Sequence, residues 1–437
     1  METVYDAVVI GAGFAGITAA RDLVDRGCSV VVLEASSRTG GRTFARPFAG
    51  HEEITAELGG SWVSRKLQPD VRREIDRYGV ALSEDVMPEH AAFLTGGKLR
   101  AFPVPPQELA DLERALGHLR DASKRIAPSQ RLSTQPIGDL DVSVEQFIAP
   151  LGLGPATRDL FLATVAWYAG ASPAEVSVFG TVAQTAGFGH SPYGFFGALT
   201  ERFVGGAGRL LDRMISESRL EVRLEHHVVA VGQTENEVKV QTADGVTVRA
   251  RSCVVAVPTN VMRHIAFKPS LSDTKTRLLS HNHLGRAYKP SLLVRNVPRR
   301  PFALGLGRLQ SLCFGYEYDD GTCLLMGFGD ENSVGQPLDL NEVGAAVREY
   351  FPEAEVLAVD AHDWNADPLF DGTYRIDRPG EALEFIRVMN QPEGRIVFAG
   401  TDLADSVWRI WIEGAVNSGH AAADQVSNML HLQAPQS

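Results

Sequence analysis

Three glycines near the N-terminus have the spacing of a loop that binds phosphate. Gly11, Gly13 and Gly16 stand between an apolar run at 5–10 and a helical pattern at 17–26. The first glycine permits a tight turn, the second lets the backbone approach a pyrophosphate, and the third lets the helix pack on the strand. Free N–H groups at the start of the helix then favour an anion. The spacing therefore predicts a site for the pyrophosphate of a dinucleotide.

Two further segments extend this predicted site. Glu34 ends a second apolar run about 20 residues after the glycines, where its carboxylate can accept hydrogen bonds from ribose hydroxyls. Gly41 and Arg42 follow in the segment EASSRTGGRT, where glycines let the chain pass close to a ligand and the planar guanidinium can meet phosphate oxygens. The glycine loop and Glu34 alone leave NAD and FAD open, and the Gly-Gly-Arg segment favours FAD.

The elements that must position these residues begin with a strand, a helix and a second strand. Residues 5–10 and 29–33 predict buried strands on either side of the helix at 17–26, which is a βαβ unit with a parallel sheet. Further helices are predicted at 71–79, within 101–170 and at 412–430, and further strands within 219–257 and at 287–295, 322–328 and 395–400. Nucleotide-type segments thus lie at both ends and in the middle of the chain, which predicts interleaved domains.

The composition argues against several classes of function. The chain has 437 residues, 44% of them hydrophobic and 22% charged, and its net charge is −12. This acidity argues against nucleic acid or an anionic membrane as a partner. No uninterrupted run of about 18 apolar residues is present, and the acidic Glu2 and Asp6 are unlike a signal peptide. We therefore expect a cytoplasmic protein without a membrane span.

The cysteines and histidines do not predict a metal site. The four cysteines are scattered, without CxxC or Cys/His spacing. The histidine pairs His226–His227 and His281–His283 lack a pattern of acidic partners. We expect no bound metal.

Several short motifs carry a resemblance to a known family. They are GAGFAG at 11–16, EASSRTGGRT at 34–43, ELGGSW at 57–62, GGAGRL at 205–210, FAGTD at 398–402 and WIEGA at 411–415. Together they resemble the flavin amine oxidoreductase family, which includes monoamine and polyamine oxidases. The segment HDWNADPLFDG at 362–372 resembles members of that family that oxidise nicotine-like amines.

The resemblance implies bound FAD. It assigns the FAD contacts to Gly11, Gly13, Phe14, Ala15, Gly16, Glu34, Ala35, Gly41, Arg42, Leu58, Gly59, Gly60, Ser61, Trp62, Val228, Trp364, Gly400, Thr401, Asp402, Trp411, Ile412 and Ala415. Some relatives attach FAD covalently through a cysteine at the position of Thr373. Because threonine cannot form that thioether, the resemblance implies non-covalent FAD.

The resemblance also implies three catalytic residues. Lys289 matches a lysine that holds a water against flavin N5 and is thought to assist reoxidation by O2. The alternative is that Lys289, followed by Pro290, protects an edge strand. Tyr374 and Trp411 match an aromatic pair that forms a slot for the amine, and the alternative is that both rings only pack in the core.

The same resemblance implies which segments line the substrate cavity. Tyr168 and Cys313 lie in these segments, together with the aromatic pair Tyr374 and Trp411. Both Tyr168 and Cys313 are therefore predicted to contact the substrate.

The predicted fold is α/β with the topology of amine oxidases. A Rossmann-like FAD-binding domain is predicted at 1–78, 200–284 and 372–437. It is interleaved with an α+β substrate-binding domain, built on a mixed sheet, at 79–199 and 285–371. A homodimer is one alternative for the oligomeric state.

The predicted reaction is oxidation of an amine. Hydride passes from the α-carbon of a primary or secondary amine, including cyclic and nicotine-like ones, to flavin N5, the imine hydrolyses, and reoxidation by O2 gives H2O2. Three alternatives remain: a flavin dehydrogenase or desaturase of the same fold acting on a non-amine, an L-amino-acid oxidase, and a non-catalytic flavin-binding protein. The amino-acid oxidase needs an arginine after the Gly-Gly motif, where ELGGSW has none. Lys289 and the aromatic pair argue against the enzyme acting on a non-amine, and the aromatic pair argues against the non-catalytic protein.

Overall fold

The computed structural model describes residues 4–84, 87–196, 201–335 and 338–431. The strands in chain order are β1 Val4–Ile10, β2 Val30–Leu33, β3 Ala45–Phe48, β4 His51–Glu57, β5 Trp62–Val63, β6 Leu82–Glu84, β7 His90–Thr95, β8 Lys98–Arg100, β9 Glu201–Phe203, β10 Glu221–Arg223, β11 Val228–Gln233, β12 Val238–Thr242, β13 Thr247–Val255, β14 Ala266–Lys268, β15 Ala287–Tyr288, β16 Ser291–Arg295, β17 Pro301–Gly305, β18 Ser311–Glu317, β19 Cys323–Asp330, β20 Glu355–Asp360 and β21 Ile396–Phe398. The helices are α1 Phe14–Asp25, α2 Pro69–Tyr78, α3 Leu109–Ser123, α4 Val144–Ile148, α5 Pro155–Ala169, α6 Phe179–Gly187, α7 Pro192–Phe196, α8 Gly208–Glu217, α9 Thr259–Met262, α10 Asp273–Leu279, α11 Leu340–Arg348, α12 Ala382–Met389 and α13 Ile412–Met429.

The first sheet contains the predicted βαβ unit. Its strand order is β10-β2-β1-β13-β12-β11-β14, and β21 also pairs with β13. The pairs β10/β2, β2/β1, β1/β13 and β13/β21 are parallel, whereas β13/β12 and β12/β11 are antiparallel. A positive φ of 88° at Gly245 makes the turn between β12 and β13. The strand β13 therefore joins the parallel part of the sheet to the antiparallel ribbon.

Helices cover both faces of this sheet. Side chains alternate along β1, so Val9 packs with α1 and α13 on one face, while Val8 packs with α10 and α12 on the other. All four residues of β2 are buried, as is typical of a parallel sheet covered on both faces. The sheet is thus enclosed by helices, and its strand ends are the places where a ligand can reach it.

The second sheet is mixed, as the sequence predicts for the substrate domain. Its order is β20-β16-β19-β18-β17-β7-β8, with β15 beside β19. Neighbouring strands run antiparallel except for the parallel pair β17/β7. Helix α11 packs on one face through Val343 and Val347, and α5 packs on the other through Leu160 and Trp167. This layered arrangement is the predicted α/β architecture.

A helical region lies beside both sheets. Its core contains residues of α3, α4, α5 and α6, and it also contains Ile376, Leu383 and Trp408 from the C-terminal part of the chain. The segments predicted to form two domains therefore share a core. The domain limits remain a prediction, and the one at 199/200 lies outside the described residues. Over the described ranges, no helix is both long and apolar enough to cross a membrane.

Candidate active site

A cavity of about 540 Å³ opens at the carboxyl ends of the parallel strands. Ile10, Leu33, Ala256 and Gly400, which end or follow β1, β2, β13 and β21, line one part of it. Ligands of open α/β sheets bind at this edge. The volume is in the usual range for a small-molecule or cofactor site.

The glycine loop has the geometry that each predicted role requires. Gly11 has φ +103°, and a Cβ there would lie 2.7 Å from the carbonyl oxygen of Ala256. A Cβ on Gly16 would lie 2.0 Å from the oxygen of Gly11, so this glycine is needed for helix packing. A Cβ on Gly13 would meet nothing closer than 4.0 Å, because Gly13 faces the cavity. The backbone at the start of α1 is thus open to a phosphate.

Glu34 is tied to this loop. Its carboxylate accepts hydrogen bonds from the backbone N–H of Ala12 at 2.7 Å and of Ser36 at 2.8 Å. The residue is 8% exposed, and burial raises the pKa of its carboxyl despite these two bonds. Glu34 lines the cavity next to Ala35, so it is placed to accept from a sugar hydroxyl.

Arg42 lines the cavity and is held by a buried carboxylate. Its Nη1 donates to Asp402 Oδ1 at 2.9 Å and to the carbonyl oxygen of Thr373 at 2.6 Å. Asp402 is 1% exposed and also accepts from the backbone N–H of Arg375. Burial alone would raise the pKa of Asp402, but the charge of Arg42 and these hydrogen bonds hold it below its usual range. Asp402 therefore acts through Arg42 and does not itself line the cavity.

Lys289 lies between β15 and β16 and faces the cavity. Its Nζ donates to the carbonyl oxygen of Gly59 at 2.6 Å and to Ser61 Oγ at 2.8 Å, and it lies 4.8 Å from the ring centroid of Trp62. The residue is 7% exposed. The edge-strand alternative requires a lysine that points into solvent, and the burial of this side chain in the cavity wall argues against it. A buried ammonium is costly unless it is bonded, and the 59–62 segment supplies those bonds.

The predicted aromatic pair lines the same cavity as Lys289. The Tyr374 hydroxyl donates to the carbonyl oxygen of Tyr168. The Trp411 indole N–H donates to Gln184 Oε1 at 3.1 Å, and its ring meets Phe188 edge-on at 5.6 Å. Burial raises the pKa of Tyr374 and raises that of Tyr168 to about 12, so both phenols are neutral at physiological pH. Each ring is thus held by a hydrogen bond to another residue of the cavity lining, Tyr168 for Tyr374 and Gln184 for Trp411.

Most predicted cofactor contacts line this cavity, with two exceptions. Gly16 lies behind the lining, where it packs the helix, and Asp402 lies behind Arg42. Trp364 lines the cavity and donates its indole N–H to the carbonyl oxygen of Leu58 at 2.8 Å, which fixes the 58–62 segment.

One predicted substrate residue is not brought to the cavity. The side chain of Cys313 on β18 is 4% exposed and packs in the core with Trp167 and Met326. Residues that the sequence did not single out take part in the lining, including Trp167, Gln184, Phe328 and Ile410. Aromatic residues in apolar runs look the same in a core and in a cavity wall. Gln184 offered one signal, since it is an amide on a helix that is otherwise apolar or small.

The family comparison covers almost the whole chain. A sequence model of the flavin containing amine oxidoreductase family matches residues 14–427. The (S)-6-hydroxynicotine oxidase of Paenarthrobacter nicotinovorans is 34% identical over 426 residues, which are 97% of this chain and 99% of that protein. The nicotine dehydrogenase of Pseudomonas putida is 33% identical over 450 residues, covering 98% of this chain and 89% of that protein.

Solved structures show the same fold. Putrescine oxidase bound to putrescine has a TM-score of 0.87 at 22% identity, covering 99% of this chain and 100% of that one. Cyclohexylamine oxidase from Brevibacterium oxydans has a TM-score of 0.85 at 23% identity, covering 98% and 100%.

Proposed function

The chain belongs to the flavin containing amine oxidoreductase family, and from this premise we propose that it is an oxidase that passes electrons from an amine to O2. It is an FAD-dependent oxidoreductase acting on amines. The proposal adds the acceptor, the form of the substrate and the roles of individual residues. The observation that carries it is the buried ammonium of Lys289 in the same cavity as the rings of Tyr374 and Trp411.

The described residues fit FAD. The open backbone at Gly13 and the start of α1 would hold the pyrophosphate, Glu34 would accept from the ribose, and Arg42 would supply positive charge. The 58–62 segment and the N-terminus of α13 would border the flavin ring. FAD, when bound, supplies the capacity to accept two electrons and a proton from the carbon next to nitrogen.

We propose that FAD is held without a covalent bond. Thr373 lines the cavity and its hydroxyl accepts from the backbone N–H of Ala287 at 3.3 Å. The four cysteines of the chain are buried, and none of them is among the residues that line the cavity. A thioether to the cofactor therefore has no sulfur to use.

The apolar walls favour a neutral amine. Trp167, Phe328 and Ile410 line the cavity together with the aromatic pair. Burial among such side chains disfavours an ammonium, so the nitrogen keeps the lone pair that oxidation requires. Two fixed rings orient the α-carbon at low entropic cost. The neutral phenols of Tyr168 and Tyr374 would shape the cavity without acting as proton acceptors.

Lys289 supports O2 as the acceptor. An ammonium fixed by Gly59 and Ser61 places a positive charge on the cavity wall at a position that is itself buried. Such a charge stabilises the negative charge that oxygen acquires as it is reduced. The names of two relatives favour a second candidate, a dehydrogenase with another acceptor: nicotine dehydrogenase, and the pseudooxynicotine dehydrogenase of a Pseudomonas species, which is 30% identical over 442 residues.

Three of the relatives act, by name, on nicotine or on compounds named after it, so a cyclic nicotine-like amine is the proposed substrate class. The test is a peroxide-coupled assay with primary, secondary and cyclic amines, run beside an assay with an artificial electron acceptor. We expect peroxide in amounts equal to the amine consumed. If amine reduces the flavin rapidly without oxygen, and the artificial acceptor reoxidises the flavin but O2 does not, the dehydrogenase is supported.

A further inference from the structure

Ile410 holds a backbone conformation that a β-branched residue rarely adopts. Its φ is +69°, in the left-handed region where Cβ crowds the backbone. Outliers of this kind persist only when the surrounding structure imposes them, and they gather at functional sites. The position of Ile410, directly before Trp411, puts this strain beside the proposed substrate slot.

The two neighbouring residues impose the conformation. On one side, Arg409 Nη1 donates to the buried Asp377 at 2.7 Å and its Nη2 donates to the carbonyl oxygen of Asp402 at 3.1 Å. On the other side, the Trp411 backbone N–H donates to the carbonyl oxygen of Trp408 at 3.1 Å. The chain must pass from one anchor to the other within a tight turn, and Ile410 takes the strained position.

Ile410 also stands between two cavities. It lines the large cavity, and it lines a second cavity of about 30 Å³ whose other walls include Ser177, Ala183 and Val407. Among the residues that the structure describes, Tyr168 and Gln184 are the two that join Ile410 in lining both cavities. The small cavity can hold about one water. Removal of the Ile410 side chain would thus extend the large cavity towards this space.

We propose that Ile410 is a specificity-determining residue that limits the length of the amine the cavity accepts. The inference rests on the proposed function, because it assigns the substrate to the part of the cavity beside Tyr374 and Trp411. An amine held between the two rings and extending towards Ile410 meets a branched side chain that cannot swing away, since its backbone is fixed on both sides. The strained conformation is what keeps this wall in place.

The test uses two substitutions that distinguish the steric effect of the Ile410 side chain from the strain in its backbone. Ile410→Ala shortens the wall and keeps a Cβ in the left-handed conformation, whereas Ile410→Gly also removes the Cβ. We expect both to raise the ratio of kcat/KM for 4-phenylbutylamine to that for benzylamine by about tenfold or more. Glycine normally destabilises relative to alanine because its unfolded chain is freer. Here we expect the opposite order, with a higher Tm for Ile410→Gly than for Ile410→Ala.

The control is Ile386→Ala on α12, a fully buried isoleucine of the same core that lines neither cavity. It should lower Tm and leave the selectivity ratio unchanged. Ile410→Val, which removes one methylene, should raise the ratio by less than Ile410→Ala does. It replaces the smaller variants in the test if they do not fold. An unchanged ratio in folded, flavin-containing Ile410→Ala and Ile410→Val overturns the inference.

A binding measurement keeps this outcome separate from a failure of the proposed function. The affinities of 4-phenylbutanol and benzyl alcohol, read from changes in the flavin absorbance, do not depend on turnover. In the Ile410 variants the longer alcohol should gain affinity relative to the shorter one. If no amine reduces the flavin of the wild-type enzyme, the proposed function is contradicted. The alcohol affinities would still decide whether Ile410 limits the length of the ligand.

Discussion

The aromatic pair offers the most direct test of how the cavity orients an amine. Trp411→Phe keeps a ring but removes the N–H that donates to Gln184 at 3.1 Å, and Tyr374→Phe removes the hydroxyl that donates to Tyr168. One such hydrogen bond is worth about 1 kcal/mol net. If that energy stabilises the ring orientation seen in the cavity, its loss lowers the fraction of molecules with the ring in that orientation about fivefold at 25 °C. The factor follows because RT is about 0.6 kcal/mol. We therefore expect flavin reduction at saturating amine to slow about fivefold in each phenylalanine variant.

Removal of either ring should have a larger effect. A displacement of about 1 Å costs about 100-fold in rate, so Trp411→Ala and Tyr374→Ala should each slow flavin reduction by about that factor. The double alanine variant should lose less than the product of the two, because one wall of a slot orients little without the other. Flavin content should be retained, since the glycine loop, Glu34 and Arg42 are unchanged.

The assay is anaerobic stopped-flow reduction of the flavin, which isolates this half-reaction from reoxidation. The matched control is Tyr350→Phe, which removes a buried hydroxyl that donates to the carbonyl oxygen of Leu309 at 2.7 Å and is not part of the cavity lining. It should alter stability and leave the reduction rate near that of the wild type. Reduction at the wild-type rate in both alanine variants would refute the slot and make these rings core packing.

Three further predictions concern the cofactor, the acceptor and stability. Acid precipitation should release the flavin intact, because Thr373 cannot form a thioether, and colour that stays in the pellet would contradict this. Lys289→Met should slow reoxidation by O2 by a large factor while anaerobic reduction changes only moderately, and a wild-type rate of reoxidation would show that the ammonium serves structure alone. Lys275 is 1% exposed, its Nζ lies 4.1 Å from the Phe398 ring centroid, and burial lowers its pKa to about 8. Because the unfolded lysine keeps its proton up to about pH 10, the unfolded chain binds more protons between these values, and this lysine should make the free energy of unfolding rise by at most about 1.4 kcal/mol per pH unit. Lys275→Met should remove that rise in denaturant titrations at pH 7 to 10, and equal slopes in the two proteins would show that the pKa is not lowered.

Much of the nucleotide part of the site could be predicted from local sequence. The requirements there concern the backbone: a left-handed φ at Gly11, space in front of Gly13 and contact at Gly16. Only glycine meets them, so the residue types record the geometry directly. The position of Glu34 follows from the parallel pairing of β1 with β2, which a βαβ unit imposes.

The positions of the side chains predicted to contact the substrate depended on tertiary structure. Lys289 is buried because the 59–61 segment, more than 200 residues away in the sequence, packs over it and accepts its hydrogen bonds. Cys313 was predicted to contact substrate, and it packs in the core because the side chains of a strand alternate between faces. Neither outcome can be read from residue type.

The sequence by itself determined the fold class, the family and the glycine, glutamate and arginine framework for FAD, because these depend on backbone geometry and on short segments. Only the tertiary structure decided that Gln184 anchors Trp411 and that Ile410 divides two cavities. These residues are brought together from distant parts of the chain by packing. An apolar periodicity is the same whether a side chain faces a core or a cavity, and the difference arises only when the elements meet.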